Sequence, residues 1–383
     1  MLSKPDVKFH FQVLNIFSIL CLIPIKVNQA TGTIARQDIL WKQCVWVHFY
    51  AIQILHVLFL SWSLLRSVVF PDAYFVICQF PIHLCCSVSC ILFLWYSTAQ
   101  NVLEPGTTVM VFNDLYSKTE KLRRTSGLQE YSFQELLLIL FPLLPVNLLL
   151  FTLFIYLWDP SQPIFITSYL RNTDLHPWTS RTFVCIEFLP WIAHMAGLEF
   201  QGFVYLSTLQ MILARIDEES FTLQTEHPVT LDHIISAIEV TRQLHVLTRL
   251  FNLVFNYVTY FLKISCITVP VLFFWFTVQF SDEYPLISLM YFSLGLQTFV
   301  GFTSGTGNGF EIPMIFNEFK NSIMFAADRL EIKFWRQYTK RQLRATPCLG
   351  IEVGKFHTLQ RATVPEFIQT IATTVANLLV AFQ

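Results

Sequence analysis

The residues able to do chemistry are spaced in ways that exclude most of it. The chain has ten histidines and nine cysteines but no HExxH pair, no CxxC and no clustered histidine box. Neither a zinc hydrolase nor a dithiol redox centre is therefore indicated. Cys21, Cys44, Cys78, Cys85, Cys86, Cys90, Cys185, Cys266 and Cys348 sit mostly inside apolar runs. There a small, soft side chain serves packing; metal binding or a structural disulfide is the alternative. FTSGTGNGFE, residues 302–311, has three glycines but no following P-loop lysine, so it reads as a flexible connector and not a phosphate cradle. No nucleophile stands in a pattern with a base. The chain does not read as an enzyme, and no cofactor or metal is expected.

One stretch does collect polar groups. VPEFIQTIATTVANLLVAFQ, residues 364–383, is about as long as a bilayer crossing yet carries Glu366, Gln369, Thr370, Thr373, Thr374 and Asn377. On a wheel of about 100° per residue, Gln369, Val380, Thr373, Glu366, Asn377, Thr370 and Thr374 fill one arc of about 140°. Phe367, Leu378, Ile371, Phe382, Val375, Ile368, Leu379 and Ala372 fill the opposite arc without interruption. A carboxylate and amides cannot face hydrocarbon, so this side must meet protein or water. Either it glues helices of one bundle together, or it lines a pore with Glu366, Gln369, Thr370, Thr373, Asn377 and Val380. The pore is the favoured reading. Under cyclic symmetry Glu366 repeats as a carboxylate ring selecting cations, and Val380 suits a dewetting gate.

The elements that must position this helix follow from composition. Apolar residues make up 54% of the chain and charged residues 13%, against roughly 25% charged in a soluble domain. A multi-pass, all-α membrane protein is indicated, and a net charge of −1 gives no reason to expect nucleic acid. Seven runs are long and apolar enough to span: Val45–Val69, Tyr74–Tyr96, Leu136–Trp158, Thr182–Leu206, Val254–Phe276, Leu286–Phe302 and Val364–Phe382. The shorter run Phe9–Ile25, closed by Pro24, reads as an interfacial or re-entrant helix, with a cleaved signal sequence as the competing reading.

Of the 25 Lys and Arg residues, only Arg66, Arg171 and Arg181 fall on one side of these spans, and Lys263 falls inside one. The positive-inside rule then puts the N-terminus in the cytosol and the C-terminus outside. That is opposite to a G-protein-coupled receptor, and the ADRLE stretch at 327–331 lies before the last span instead of ending the third. The segments 105–131, 217–249 and 311–342 show helical spacing of apolar residues and read as cytosolic helices that assemble subunits. Four parts result: 1–44, a cytosolic N-terminus; 45–310, a six-helix ligand-binding bundle; 311–362, a cytosolic anchor and connector; and 363–383, the pore helix. Glu199 and Lys263, each ionisable within a span, are expected to pair or to face water.

This architecture resembles the arthropod seven-transmembrane chemoreceptor superfamily, the gustatory and odorant receptors. The resemblance rests on length, inverted topology, the short N-terminal apolar element, the basic helix before the last span and a chain that stops as that span ends. TVANLLVAF at 374–382 keeps Thr374 and Phe382 of the gustatory signature TYhhhhhQF but has Val375 where Tyr is usual and Ala381 where Gln is usual. The gustatory branch is slightly favoured.

The resemblance implies a ligand-gated, non-selective cation channel in the plasma membrane. It implies a homotetramer or a heterotetramer with related subunits, opened by a small organic ligand such as a tastant or odorant. It also places the ligand in the outer half of the bundle, where this chain offers Tyr74, Phe154, Trp158, Phe188, Trp191, His194, Phe274, Trp275 and Tyr291. Aromatic walls with few polar groups suit small, semi-polar molecules. A secondary transporter is the main rival, and a receptor coupled to G proteins a weaker one. No two-fold repeat of span patterns supports the transporter.

Overall fold

The structure is a computed structural model, and it describes residues 4–70, 80–122, 133–160, 162–170, 177–225 and 230–381. Tyr74, residues 123–132 of the connection between the second and third expected spans, and Phe382 lie outside the described residues.

Helix α1 (Lys4–Ile19) presents Val7, His10, Phe11 and Leu14 as one buried stripe and leaves Phe9, Ile16 and Ile19 exposed on its other side. The expected interfacial element is thus packed into the main core. The chain then turns through a hairpin, β1 (Ile25–Asn28) with β2 (Thr33–Arg36). Gly32 takes φ +68° in the turn, where a Cβ would collide with the Tyr116 ring. Asn113 satisfies the hairpin's open edge: its Oδ1 accepts from Ile34 N at 3.0 Å and its Nδ2 donates to Ile34 O at 2.7 Å.

Helix α2 (Leu40–Val69) is followed by α3 (Phe80–Ser97), which runs into a π-helical turn over Thr98–Leu103, and by α4 (Pro105–Leu122). The third expected span is bent by 54° between α5 (Phe133–Leu140) and α6 (Leu143–Trp158). Pro142 breaks the backbone ladder there. At the bend the Phe141 ring sits on Gly202, where any Cβ would lie 2.1 Å from it.

Helices α7 (Pro177–Thr225) and α8 (Leu231–Gln279) are 49 residues each. At 1.5 Å per residue each is about 73 Å long, more than twice the roughly 30 Å hydrocarbon thickness. The expected fourth and fifth spans are therefore continuous with the helices expected beyond them. Pro190 lies within α7 and Pro270 within α8.

Only Thr306 separates α9 (Pro285–Gly305) from α10 (Gly307–Asp328), so residues 302–311 are not a flexible connector. The glycines serve packing: a Cβ on Gly309 would stand 3.3 Å from Leu359 and one on Gly307 3.3 Å from Gln134. The single amphipathic helix expected over 311–342 is two, α10 and α11 (Lys333–Ala345). Their junction is tied by Arg336 Nη2 donating to Leu330 O at 2.6 Å and by a 2.6 Å ion pair of Lys340 with Asp328. A two-residue hairpin, β3 (Glu352–Val353) with β4 (His357–Thr358), leads into α12 (Thr363–Ala381).

Among the described residues, five helical segments are long and apolar enough to cross a bilayer: α2, α3 with its π turn, α8, α9 with α10, and α12. The bent pair α5–α6 makes six. The remaining expected span lies in α7, whose central turns carry Glu187, His194, Glu199 and Gln201. All four are buried against neighbouring helices.

Two apolar cores stack along the long helices. The larger gathers α1, α4, α10 and the middle of α7 and α8, and marks what we term the anchor end. The smaller gathers α2, α3, α6, α9 and the opposite ends of α7 and α8, and marks what we term the chamber end after the candidate site below.

Candidate ligand chamber and pore face

At the chamber end, Phe188 and Trp191 of α7, Tyr156 of α6, Phe273 and Phe276 of α8 and Tyr291 of α9 are all buried in one cluster. Tyr291 stacks on Phe273 with ring centroids 5.6 Å apart, and Tyr156 meets Phe188 edge-on at 5.7 Å. Trp275 packs partly buried against this cluster.

Polar atoms are set into the aromatic wall. His56 of α2 and His194 of α7 are both buried, with ring centroids 5.4 Å apart, and neither ring nitrogen of either has a hydrogen-bond partner. Trp191 meets His56 edge-on at 4.8 Å, and its Nε1–H is likewise unpartnered. Glu187 accepts from Thr167 N at 3.2 Å through Oε2, while its Oε1 is orphaned. A buried polar atom without a partner costs about 1–3 kcal/mol, which makes this group of orphaned atoms the candidate for receiving polar atoms from elsewhere.

The sequence-based set divides accordingly. Phe188, Trp191, His194, Trp275 and Tyr291 come together here. Phe274 does not: it faces the larger core and Phe292, 5.8 Å away, and approaches Gly295 so closely that a Cβ there would lie 2.9 Å from its ring. Phe154 and Trp158 are on the outer surface of α6, Trp158 being 76% exposed, and touch each other at 5.7 Å. The reason is phase: α6 is apolar all round, so its pattern alone did not distinguish the inward stripe of Thr152, Ile155 and Tyr156. His56, His83 and Cys90 are buried at this end too, and sequence reading did not single them out as ligand-binding candidates. They come from separate apolar runs with no local spacing to join them.

Of the two alternatives for Glu199 and Lys263, pairing with each other is overturned, while Lys263 is partly exposed. Glu199 instead meets His10 of α1, Oε1 to Nδ1 at 2.9 Å, deep in the larger core. Lys263 Nζ lies 3.0 Å from His357 Nε2 in β4 and interacts electrostatically with Glu366 at the start of α12. Lys263 is thus level with the foot of α12, not midway through a span. From there to Gln279, α8 runs about 24 Å. Partial desolvation, then the neighbouring Lys263, holds the exposed His357 below the ordinary histidine range, and Glu366 partly opposes this.

On α12, Thr363, Phe367 and Ile371 are buried. Phe367 lies 4.9 Å from Phe302 and 5.8 Å from Phe299 of α9, centroid to centroid, while the helix packs mainly along α8. Glu366, Gln369, Thr370, Thr373, Asn377 and Val380 are all exposed in the single chain. The Thr370 and Thr374 hydroxyls donate back to Glu366 O and Thr370 O, at 2.8 and 2.7 Å, which meets their needs within the helix. The Gln369 and Asn377 amides and the Glu366 carboxylate stay on a bare surface.

No family model matches the chain, and no curated relative does. Solved structures do. The insect olfactory receptor OR5 from Machilis hrabei superimposes over 96% of each chain with a TM-score of 0.62 at 11% identity. In complex with eugenol, the same receptor matches over 99% of each chain with a TM-score of 0.59 at 10% identity. The chain has the insect olfactory receptor fold. Within that fold the long α7 and α8, the buried α1 and the terminal α12 are parts of one architecture, shared over essentially the full length despite very low identity.

Proposed function

We propose that the chain is a chemosensory receptor subunit forming a ligand-gated, non-selective cation channel in the plasma membrane. The observation that carries this is the bare polar face of α12. A helix long enough to span a bilayer docks its apolar arc on its own bundle and leaves Glu366, Gln369, Thr370, Thr373, Asn377 and Val380 uncovered. Lipid cannot satisfy that face. Copies of the chain around an axis satisfy it with water, which makes it the pore wall, with Glu366 as a carboxylate ring favouring cations.

The anchor end lies in the cytosol with the N-terminus, the C-terminus lies outside, and α7 crosses as the seventh span. Residues 45–310 bind ligand, 311–362 anchor the assembly and 363–383 gate it. Four chains, identical or related, surround the pore. The ligand is a small organic odorant or tastant held at the chamber end by Phe188, Trp191, His194, Trp275 and Tyr291. The likeness to a receptor solved with eugenol supports a semi-polar molecule of that size.

The test is electrical and structural together. Expressed in a heterologous cell, the receptor should pass ligand-evoked cation current, with Glu366→Gln lowering permeability to divalent cations relative to monovalent ones. Particle images of the purified protein should have a central conduit on a four-fold axis. Substrate accumulation without conductance would replace the channel by a transporter.

A further inference from the structure

We propose that His56, Cys90 and His194 form a copper(I) site beside the aromatic chamber. One ligand atom from each, an imidazole nitrogen from each histidine and Cys90 Sγ, lie within 4.8 Å of one another. All three residues are buried, and each comes from a different helix: α2, α3 and α7. Every ring nitrogen of His56 and His194 lacks a hydrogen-bond partner. Packing histidines ordinarily engage at least one nitrogen, as His83 does with Leu60 O at 3.2 Å on the neighbouring turn of this bundle.

The donor set and its surroundings choose the metal. Two imidazole nitrogens and one thiolate sulfur form a soft set, suited to Cu(I) or Zn2+. Metal–ligand bonds of about 2.0–2.3 Å in a trigonal arrangement place the donors about 3.6 Å apart. Movement of about 1 Å by each side chain closes that gap. Binding breaks the Cys90 S–H bond, forms an S–metal bond and releases the proton to solvent. With Cu(I) the site is neutral before and after, since one positive charge replaces one proton. With Zn2+ it would retain one uncompensated positive charge in an apolar interior, which is strongly disfavoured. Charge balance therefore selects the monovalent ion. A bound ion would pin α2, α3 and α7 together next to Trp191, which touches His56 at 4.8 Å.

The test uses full-length purified protein in detergent, with the exposed Cys44, Cys185 and Cys348 replaced by serine to remove background thiols. Cu(I) is supplied under ascorbate against a competing chelator. One copper per chain is expected, with an absorption spectrum of one sulfur and two nitrogen neighbours and a rise in unfolding temperature. His56→Gln, Cys90→Ser and His194→Gln should each weaken binding by at least about a hundredfold, more than loss of an outer-shell partner does. Cys90→Ala serves as a second probe, because it only trims a buried side chain; its unfolding temperature without metal should stay near the parent's while copper binding is lost. Stoichiometric copper retained in either Cys90 variant overturns the site, as does a parent that binds no more copper than the variant lacking all three ligands. Zinc binding as tightly as copper under the same competition overturns the choice of metal. None of these readouts depends on channel current.

Discussion

His10 Nδ1 lies 2.9 Å from Glu199 Oε1, and Nε2 of the same ring lies 2.7 Å from the carbonyl of Leu138. A carbonyl only accepts, so Nε2 carries a hydrogen, and one further proton sits between Nδ1 and the carboxylate. The pair joins α1 to α7 and, through Leu138, to α5. With both side chains essentially inaccessible, deleting one strands the other. His10→Ala should cost about 3–5 kcal/mol of stability. His10→Ala with Glu199→Ala should fall short of the sum of the single losses by about 1–3 kcal/mol. Thermal unfolding of the four proteins in detergent checks both numbers; simple additivity would mean that the contact contributes nothing.

The two faces of α12 predict opposite reactivity. In a background lacking exposed cysteines, Thr373→Cys and Asn377→Cys should react with a cationic thiosulfonate and block current in the open channel. Ile371→Cys, buried against the bundle, should stay unmodified until the protein unfolds. Equal modification at 371 and 377 would remove the case for a single wet face.

In the chamber, Trp191→Phe keeps the ring but loses the unpartnered Nε1–H. If that hydrogen is donated to the ligand, half-maximal activation should move to about tenfold higher concentration, corresponding to about 1.4 kcal/mol. Trp158→Ala, on the outer surface of α6, should leave it unchanged. A dose–response series for the parent and the two variants reads the difference.

His357 supplies a pH dependence. Its affinity for protons is depressed, first by partial desolvation and then by Lys263, so the folded protein holds that proton less well than the unfolded chain. No penalty arises above the unfolded value of about 6.5; stability is lost as pH falls through it toward the lower folded value. A second cation beside Lys263 also offsets the attraction of Glu366 for entering cations. Lowering the solution at the anchor end from about pH 7.5 to about pH 5.5 should reduce the current, measured in excised patches. His357→Gln should flatten that response, and an unchanged slope would dissociate His357 from conduction.

What the sequence disclosed and concealed follows from which information is local. The two-sided character of α12 is a property of consecutive residues; in the folded helix Phe367 and Ile371 of the apolar arc are buried, while Ile368 and Ala372 of the same arc are exposed along with the polar face. Length, apolar content and the helices beyond the bilayer were legible for the same reason. The partners of Glu199 and Lys263 were not, because burial cost predicts that an ion will be compensated but not by what. His10 reached Glu199 only because α1 packed into the core, and His357 reached Lys263 through a two-residue hairpin too short to leave a pattern. Residues 302–311 misled in another way, since glycine marks close approach as readily as freedom, and here Leu359 and Gln134 take the space. Phe154 and Trp158 were indistinguishable from inward rings on a helix whose every side is greasy.

Pro270 has no N–H to give to the Cys266 carbonyl one turn back, and it sits between Phe273 of the chamber and Lys263 at the foot of α12. Within the continuous 49-residue α8 that proline leaves one backbone bond open between the aromatic cluster and the Lys263–His357 contact. From Pro270 the helix runs about 10 Å to Lys263, so a bend of about 5° there would displace Lys263 by about 1 Å. Added to the 3.0 Å between Lys263 Nζ and His357 Nε2, such a shift would break that contact, and under the proposed function it gives repacking of a few rings a mechanical route to the foot of α12.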